Sequence, residues 1–273
     1  MGKCFQKRRQ LPYQETYNFK EATMSYRVLG KGNPVVLVHG SMYADPWRGF
    51  EENLSKSYRV YLPHLPGFGT SDALKGELHN VDLFSEAFCL FLKETNLQKA
   101  PVVAFSLGTI VAAKAAAQDC LQGKLILVGA PGQISGWKAK LAQKAPLFLR
   151  RILVTTRWGK EKLLLPALRE NTGGANKERK EEFLADLLTT DPRAIVDLDY
   201  RKEIEEEFPE VRSRLKNETD FVYGSKDQQK GKATLIDQFI VIPEAEHNVF
   251  RSQPKRSLIL IRKLLNQGAF KQN

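Results

Sequence analysis

The 273-residue sequence contains no run of 18 or more apolar residues, so it predicts no membrane-spanning helix. The apolar core of a secretory leader is missing from its N-terminus, and none is expected. Cysteine is scarce: Cys4, Cys89 and Cys120 form no C-x-x-C pair. Four histidines include no H-x-x-x-H pair, which leaves no sequence signal for a metal. Cys89 and Cys120 fall in apolar or helical contexts and read as ordinary core thiols. A sparse, odd set of cysteines fits a reducing compartment, so a cytoplasmic location is expected. Internal repeats and low-complexity tracts are also absent, which excludes a solenoid.

What is present is an ordinary globular composition, 42% hydrophobic, with a net charge of +11. Much of that charge is local, since residues 138–182 carry 12 Lys/Arg against 5 Glu. Such an excess can attract an anionic surface or substrate. Its helical spacing, without interleaved aromatics, reads as a solvated face, and no nucleic-acid role is expected. Gly2 and Cys4 beside Lys7, Arg8 and Arg9 match part of a dual-acylation signal. Gln6 stands where that signal has Ser or Thr, so a basic tail is expected and no stable membrane insertion.

Strand-like and helix-like stretches alternate. Residues 14–29 read as two antiparallel strands. Residues 34–40, 58–62, 101–105, 125–128, 221–224 and 238–243 read as buried strands, and 47–56, 81–95, 109–117 and 255–265 as helices. This order predicts an α/β fold built on a doubly wound, mostly parallel sheet. Residues 133–215 break the alternation with amphipathic and charged helical segments. The expected division is a core in two parts, 1–132 and 216–273, with a helical cap at 133–215 over the C-terminal edge of the sheet. Ligands bind at that edge in open α/β sheets.

Chemistry concentrates at Ala104-Phe-Ser-Leu-Gly108, where a short apolar run turns into an Ala-rich helix around Ser106. A serine on a sharp strand-to-helix turn is a nucleophile elbow, and the close approach of strand and helix demands small residues two before and two after it. Ala104 and Gly108 meet that demand, although the usual pattern has glycine at both places. Serine is a weak nucleophile and needs a base that is itself oriented by an acid. His247 follows the last strand and Asp227 the strand before it, which places the three in the chain order Ser, Asp, His.

With these residues in place, the chain resembles the α/β-hydrolase family, in particular its cap-bearing serine hydrolases such as carboxylesterases and carbon–carbon bond hydrolases. The resemblance covers roughly residues 20–133 and 216–266. It rests on Leu37-Val-His-Gly40, Leu65-Pro-Gly-Phe-Gly-Thr-Ser-Asp72, Ala104-Phe-Ser-Leu-Gly108 and the tail running from Gly224 through Asp227 to His247. It implies Ser106 as nucleophile, His247 as base and Asp227 as orienting acid. The oxyanion donors would be the backbone amides of Ser41 and Leu107. It implies no cofactor and a small-molecule substrate, a small or medium, largely apolar ester or activated carbonyl compound. Met42, Phe105, Trp137 and Trp158 are candidate pocket walls. Asp197, Asp199 and Asp220 are rival acids, while His39 and His64 read as structural. Only 20 residues separate Asp227 from His247, leaving little room for the helix the family usually carries there. Carbon–carbon hydrolysis of a vinylogous diketone and ligand binding without turnover stay open as alternatives, and the oligomeric state is not legible.

Overall fold

The computed structural model describes residues 14–41, 45–47, 49–132, 144–159, 181, 184, 187–199, 201–230 and 238–269. Eight strands are described: β1 (Gln14–Phe19), β2 (Ala22–Leu29), β3 (Pro34–Val38), β4 (Arg59–Pro63), β5 (Val102–Phe105), β6 (Leu125–Val128), β7 (Thr219–Gly224) and β8 (Ile240–Ile242). They form one sheet in the order β1-β2-β4-β3-β5-β6-β7-β8. β1 and β2 are antiparallel, as is β2 with β4, and from β4 to β8 every pairing is parallel.

Side chains in a strand alternate between faces, and a parallel sheet covered on both faces is apolar on both. Val36, Val38, Val102, Ala104, Leu125 and Leu127 therefore pack on one face, against α2 (Val81–Glu94) and α3 (Leu107–Ala117). Their neighbours Val35, Leu37, Val103, Phe105, Ile126 and Val128 pack on the other. There they meet α1 (Phe50–Leu54), Trp47, Phe250 and the closing helix Pro254–Ala269. In α2, Leu83, Phe84, Ala87, Phe88 and Phe91 are buried at helical spacing, and Asn80 caps the first turn by accepting from the Leu83 amide at 3.0 Å. The Ala-rich α3 buries nine of its eleven residues, because small side chains let it lie close to both the sheet and α2.

The chain leaves β3 for β4 on one side of the sheet and returns to β5 on the other. The switch point between β3 and β5 is where an open α/β sheet forms its crevice. His39, Gly40 and Ser41 leave one strand there and Ser106 the other.

Between β6 and β7 the described residues are helical and include no strand. They include Leu147–Thr155, the turn Arg157–Gly159, Pro192–Val196, a π-helical turn at Arg201–Glu207 and Phe208–Ser213. This segment meets the loop after β4 through the Asp191 amide on the Gly67 carbonyl (2.8 Å) and the Arg193 guanidinium on the Leu74 carbonyl (3.0 Å). That loop leaves the same sheet end as Ser106.

One expectation fails. Cys89 and Cys120 are not separate core thiols: they form a disulfide, with Cα atoms 5.4 Å apart, and both residues are only half-buried. Their separation of 31 residues hides the contact, which exists only because α2 packs along α3. The pairing removes the ground that sparse unpaired thiols supply for a reducing, cytoplasmic setting. Among the described residues, no helix is long and apolar enough to cross a membrane.

Candidate active site

Ser106 is held between two elements that demand different backbone directions. Its amide continues the ladder by donating to the Val128 carbonyl at 3.0 Å. Its carbonyl already belongs to α3, accepting from the Thr109 amide at 2.9 Å and the Thr109 hydroxyl at 2.6 Å. The turn between them puts Ser106 at φ 51°, ψ −120°, a strained conformation for a residue with a side chain. The turn also presses against β3. A Cβ on Gly108 would lie 2.6 Å from the Val38 carbonyl oxygen and 2.5 Å from that of His39, so only glycine fits.

The other two members of the predicted constellation converge on this serine. His247 Nε2 lies 3.0 Å from Ser106 Oγ, and His247 Nδ1 lies 3.0 Å from each oxygen of Asp227. Asp227 Oδ1 also accepts from the Gln229 amide at 2.9 Å. All three residues are buried, Ser106 the least at 9% exposure. The loops that carry acid and base are stitched together, with the Ser225 amide on the Ile242 carbonyl (3.0 Å) and the Lys226 amide on the Ala245 carbonyl (2.8 Å). Between Asp227 and His247, the described residues hold one 3-10 turn, Gln228–Lys230, and strand β8. The imidazole is also wedged in place. Phe105 lies 5.2 Å from it, ring centre to ring centre, and Gly129, at φ +60°, leaves room that a Cβ would fill at 3.1 Å from His247 Cε1.

Leu107 opens α3, so its amide is among the first four that find no partner inside the helix. Gly40 brings the turn carrying Ser41 against the serine, since a Cβ there would sit 3.0 Å from Ser106 Cβ. The site therefore has a serine hydroxyl that faces an imidazole, at the start of α3 and against the turn at Gly40.

The remaining candidates separate. His39 Nδ1 donates to the Gly40 carbonyl at 2.7 Å while Nε2 accepts from the Leu65 amide at 3.0 Å. Burial pushes its pKa down to about 4. His64 Nδ1 accepts from the Thr70 amide at 3.3 Å, and burial takes its pKa to about 3. Both are neutral scaffold groups. Asp197 binds Arg151 and Asp220 pairs with Lys124, so neither of these rival acids serves His247. Asp199 accepts from the Lys202 amide. Phe105 is 2% exposed and packs in the core against His247. Trp158 stands 62% exposed. Met42 and Trp137 lie outside the described residues. Sequence reasoning missed Gly129 as a fitted neighbour of the imidazole; its one signal was a glycine directly after a strand.

Comparison with known proteins places this arrangement. The chain is 25% identical over 265 residues to a pimeloyl-[acyl-carrier protein] methyl ester esterase of Aeromonas salmonicida (strain A449), an alignment covering 88% of this chain and 98% of that protein. Its fold is similar to that of an alpha/beta hydrolase fold protein from Burkholderia ambifaria, with a TM-score of 0.76 at 20% identity, over 91% of this chain and 97% of the other. It is similar also to a thermophilic esterase from Thermogutta terrifontis, with a TM-score of 0.72 at 23% identity, over 90% and 94% of the two chains. Residues 35–258 match the alpha/beta hydrolase family as a whole, from β3 into the closing helix, and the chain belongs to that family.

Proposed function

We propose that the chain is a serine hydrolase that cleaves small or medium, largely apolar carboxylic esters through an acyl-enzyme. The observation that carries this is the continuous chain of contacts from Asp227 through His247 to a strained Ser106, with both contacts of the imidazole at 3.0 Å. The esterase named among its relatives supports the ester as substrate class.

In this reading Ser106 Oγ attacks the ester carbonyl carbon while its proton passes to His247 Nε2. Asp227 keeps the remaining N–H on Nδ1 and stabilises the imidazolium as it forms. The carbonyl oxygen becomes an oxyanion facing the amides of Leu107 and Ser41, preorganised donors that cost no reorganisation at the moment of reaction. His247 then returns the proton to the departing alkoxide, leaving an acyl group on Ser106. Water attacks that acyl group with the same base, and the acid leaves as Ser106 regains its proton. Residues 133–215 act as the lid of this site, a role supported by their contacts with the loop after β4.

Covalent labelling tests the nucleophile. A fluorophosphonate should add one phosphonyl group to the intact protein, and peptide mapping should place it on Ser106. Labelling elsewhere, or undiminished labelling of Ser106→Ala, rules out the assignment.

A further inference from the structure

The loop that leaves β3 carries Ser41, and its start is fixed where Gly40 abuts Ser106. Four and five residues beyond Ser41, at Asp45 and Pro46, it is fixed again, by groups from the short helix Val249–Ser252 and its cap Asn248, which follows His247. Arg251 Nη2 donates to the Asp45 carbonyl at 2.9 Å, and Arg251 Nε donates to the Pro46 carbonyl at 3.3 Å. Asn248, which caps that helix by accepting from the Arg251 amide at 3.2 Å, donates its own amide to the same Pro46 carbonyl at 3.3 Å. Trp47, fully buried, packs edge-on against Phe250 at 4.7 Å, so the strap is polar on one side and aromatic on the other. Arg27 approaches from β2, its guanidinium 3.9 Å from the Asp45 carboxylate.

Burying a guanidinium is costly unless its donors are used, and Arg251 is only 8% exposed. Two of its donors hold the loop through backbone carbonyls, so they fix where the main chain runs whatever the local side chains are. Arg251 also shares its short helix turn with Asn248, the neighbour of His247. The far end of the loop and the residue after the base are thus held by the same short helix.

Resting on the hydrolase reading above, we infer that Arg251, with Asn248, is a positioning residue: it straps the Ser41 loop to the His247 helix and so fixes the oxyanion-facing amide relative to the base. It touches no substrate. A donor that stabilises only the transition state acts on kcat, and a displacement of about 1 Å can cost ~10²-fold.

The test compares wild type, Arg251→Met, Arg251→Lys and Asn248→Ser on p-nitrophenyl butyrate. It adds inhibition by an alkyl trifluoromethyl ketone, whose adduct carries the oxyanion, and thermal melts. Arg251→Met should lower kcat by ~10–100-fold with KM unchanged, and should weaken the ketone by a similar factor. Lysine, which can restore one of the two contacts, should recover part of both losses. Asn248→Ser keeps the cap but drops the donor to Pro46, and should lower kcat by a smaller factor at constant KM. This variant carries the test if Arg251→Met does not fold. A folded Arg251→Met, or Asn248→Ser in its place, with wild-type kcat and ketone affinity, or with a loss confined to KM, overturns the role. A wild type that hydrolyses no ester overturns the hydrolase reading itself, and this role with it.

Discussion

Two buried histidines in this protein face two buried aspartates, and the pairs differ in what the second imidazole nitrogen meets. His247 Nδ1 sits 3.0 Å from both oxygens of Asp227, and its other nitrogen faces a serine hydroxyl. His79 Nδ1 sits 3.6 Å from Asp197, and its other nitrogen is taken by the Leu74 amide at 3.2 Å. Asp197 is further committed to Arg151, at 3.0 and 2.8 Å, and to the His79 amide at 3.2 Å. Burial pushes the His79 pKa down, with the Arg193 charge adding to that effect. A His–Asp contact is therefore no mark of catalysis. What distinguishes the first pair is a serine hydroxyl at the second nitrogen. The second pair ties the helical segment to the residues just before α2.

The largest effect should come from breaking the first pair. Asp227→Asn should lower kcat for ester hydrolysis by ~10³–10⁴-fold, because the amide holds the wrong tautomer of His247, while thermal stability changes little. Steady-state kinetics beside a melt would show it; a loss below tenfold would mean that another acid orients the base.

The same kind of change at the second pair should act on stability instead. Asp197→Ala leaves His79 and Arg151 without their acceptor and should destabilise the fold by ~1–3 kcal/mol, with kcat at 25 °C within a few-fold of wild type. Urea unfolding measures the first and p-nitrophenyl ester kinetics the second. A kcat loss matching that of Asp227→Asn would erase the distinction between the pairs.

The smallest effect belongs to Glu203, which joins the same contact by accepting from the Val81 amide at 2.9 Å. Burial raises its pKa to about 7 from an ordinary 4.5, so between these values the folded state binds more protons than the unfolded one. Stability from this group is then fully present below about 4.5 and is lost as pH rises through about 7. Glu203→Gln keeps the acceptor without the charge. It should raise stability at pH 8 by ~1–2 kcal/mol and give no gain near pH 4.5, as paired melts would show.

The parts legible in the sequence are those whose chemistry is local. A strand that must turn into a helix around one hydroxyl writes its own pattern, and Ala104 and Gly108 are the residues that geometry admits. Asp227 and His247 were readable because each ends a strand of a sheet whose order the alternation already implied. Contacts made between distant helices leave no such trace. The Cys89–Cys120 bridge, the Asp197–His79 pair and the reach of Arg251 to Pro46 each depend on packing across 31, 118 and 205 residues.

Steady-state hydrolysis of p-nitrophenyl esters of increasing acyl length, wild type beside Ser106→Ala, tests the central claim most directly. Multiple turnovers that peak at one chain length and fall by at least ~10³-fold in the variant are the predicted result. Turnover that survives in Ser106→Ala, or a folded wild type that turns over no ester, would contradict it.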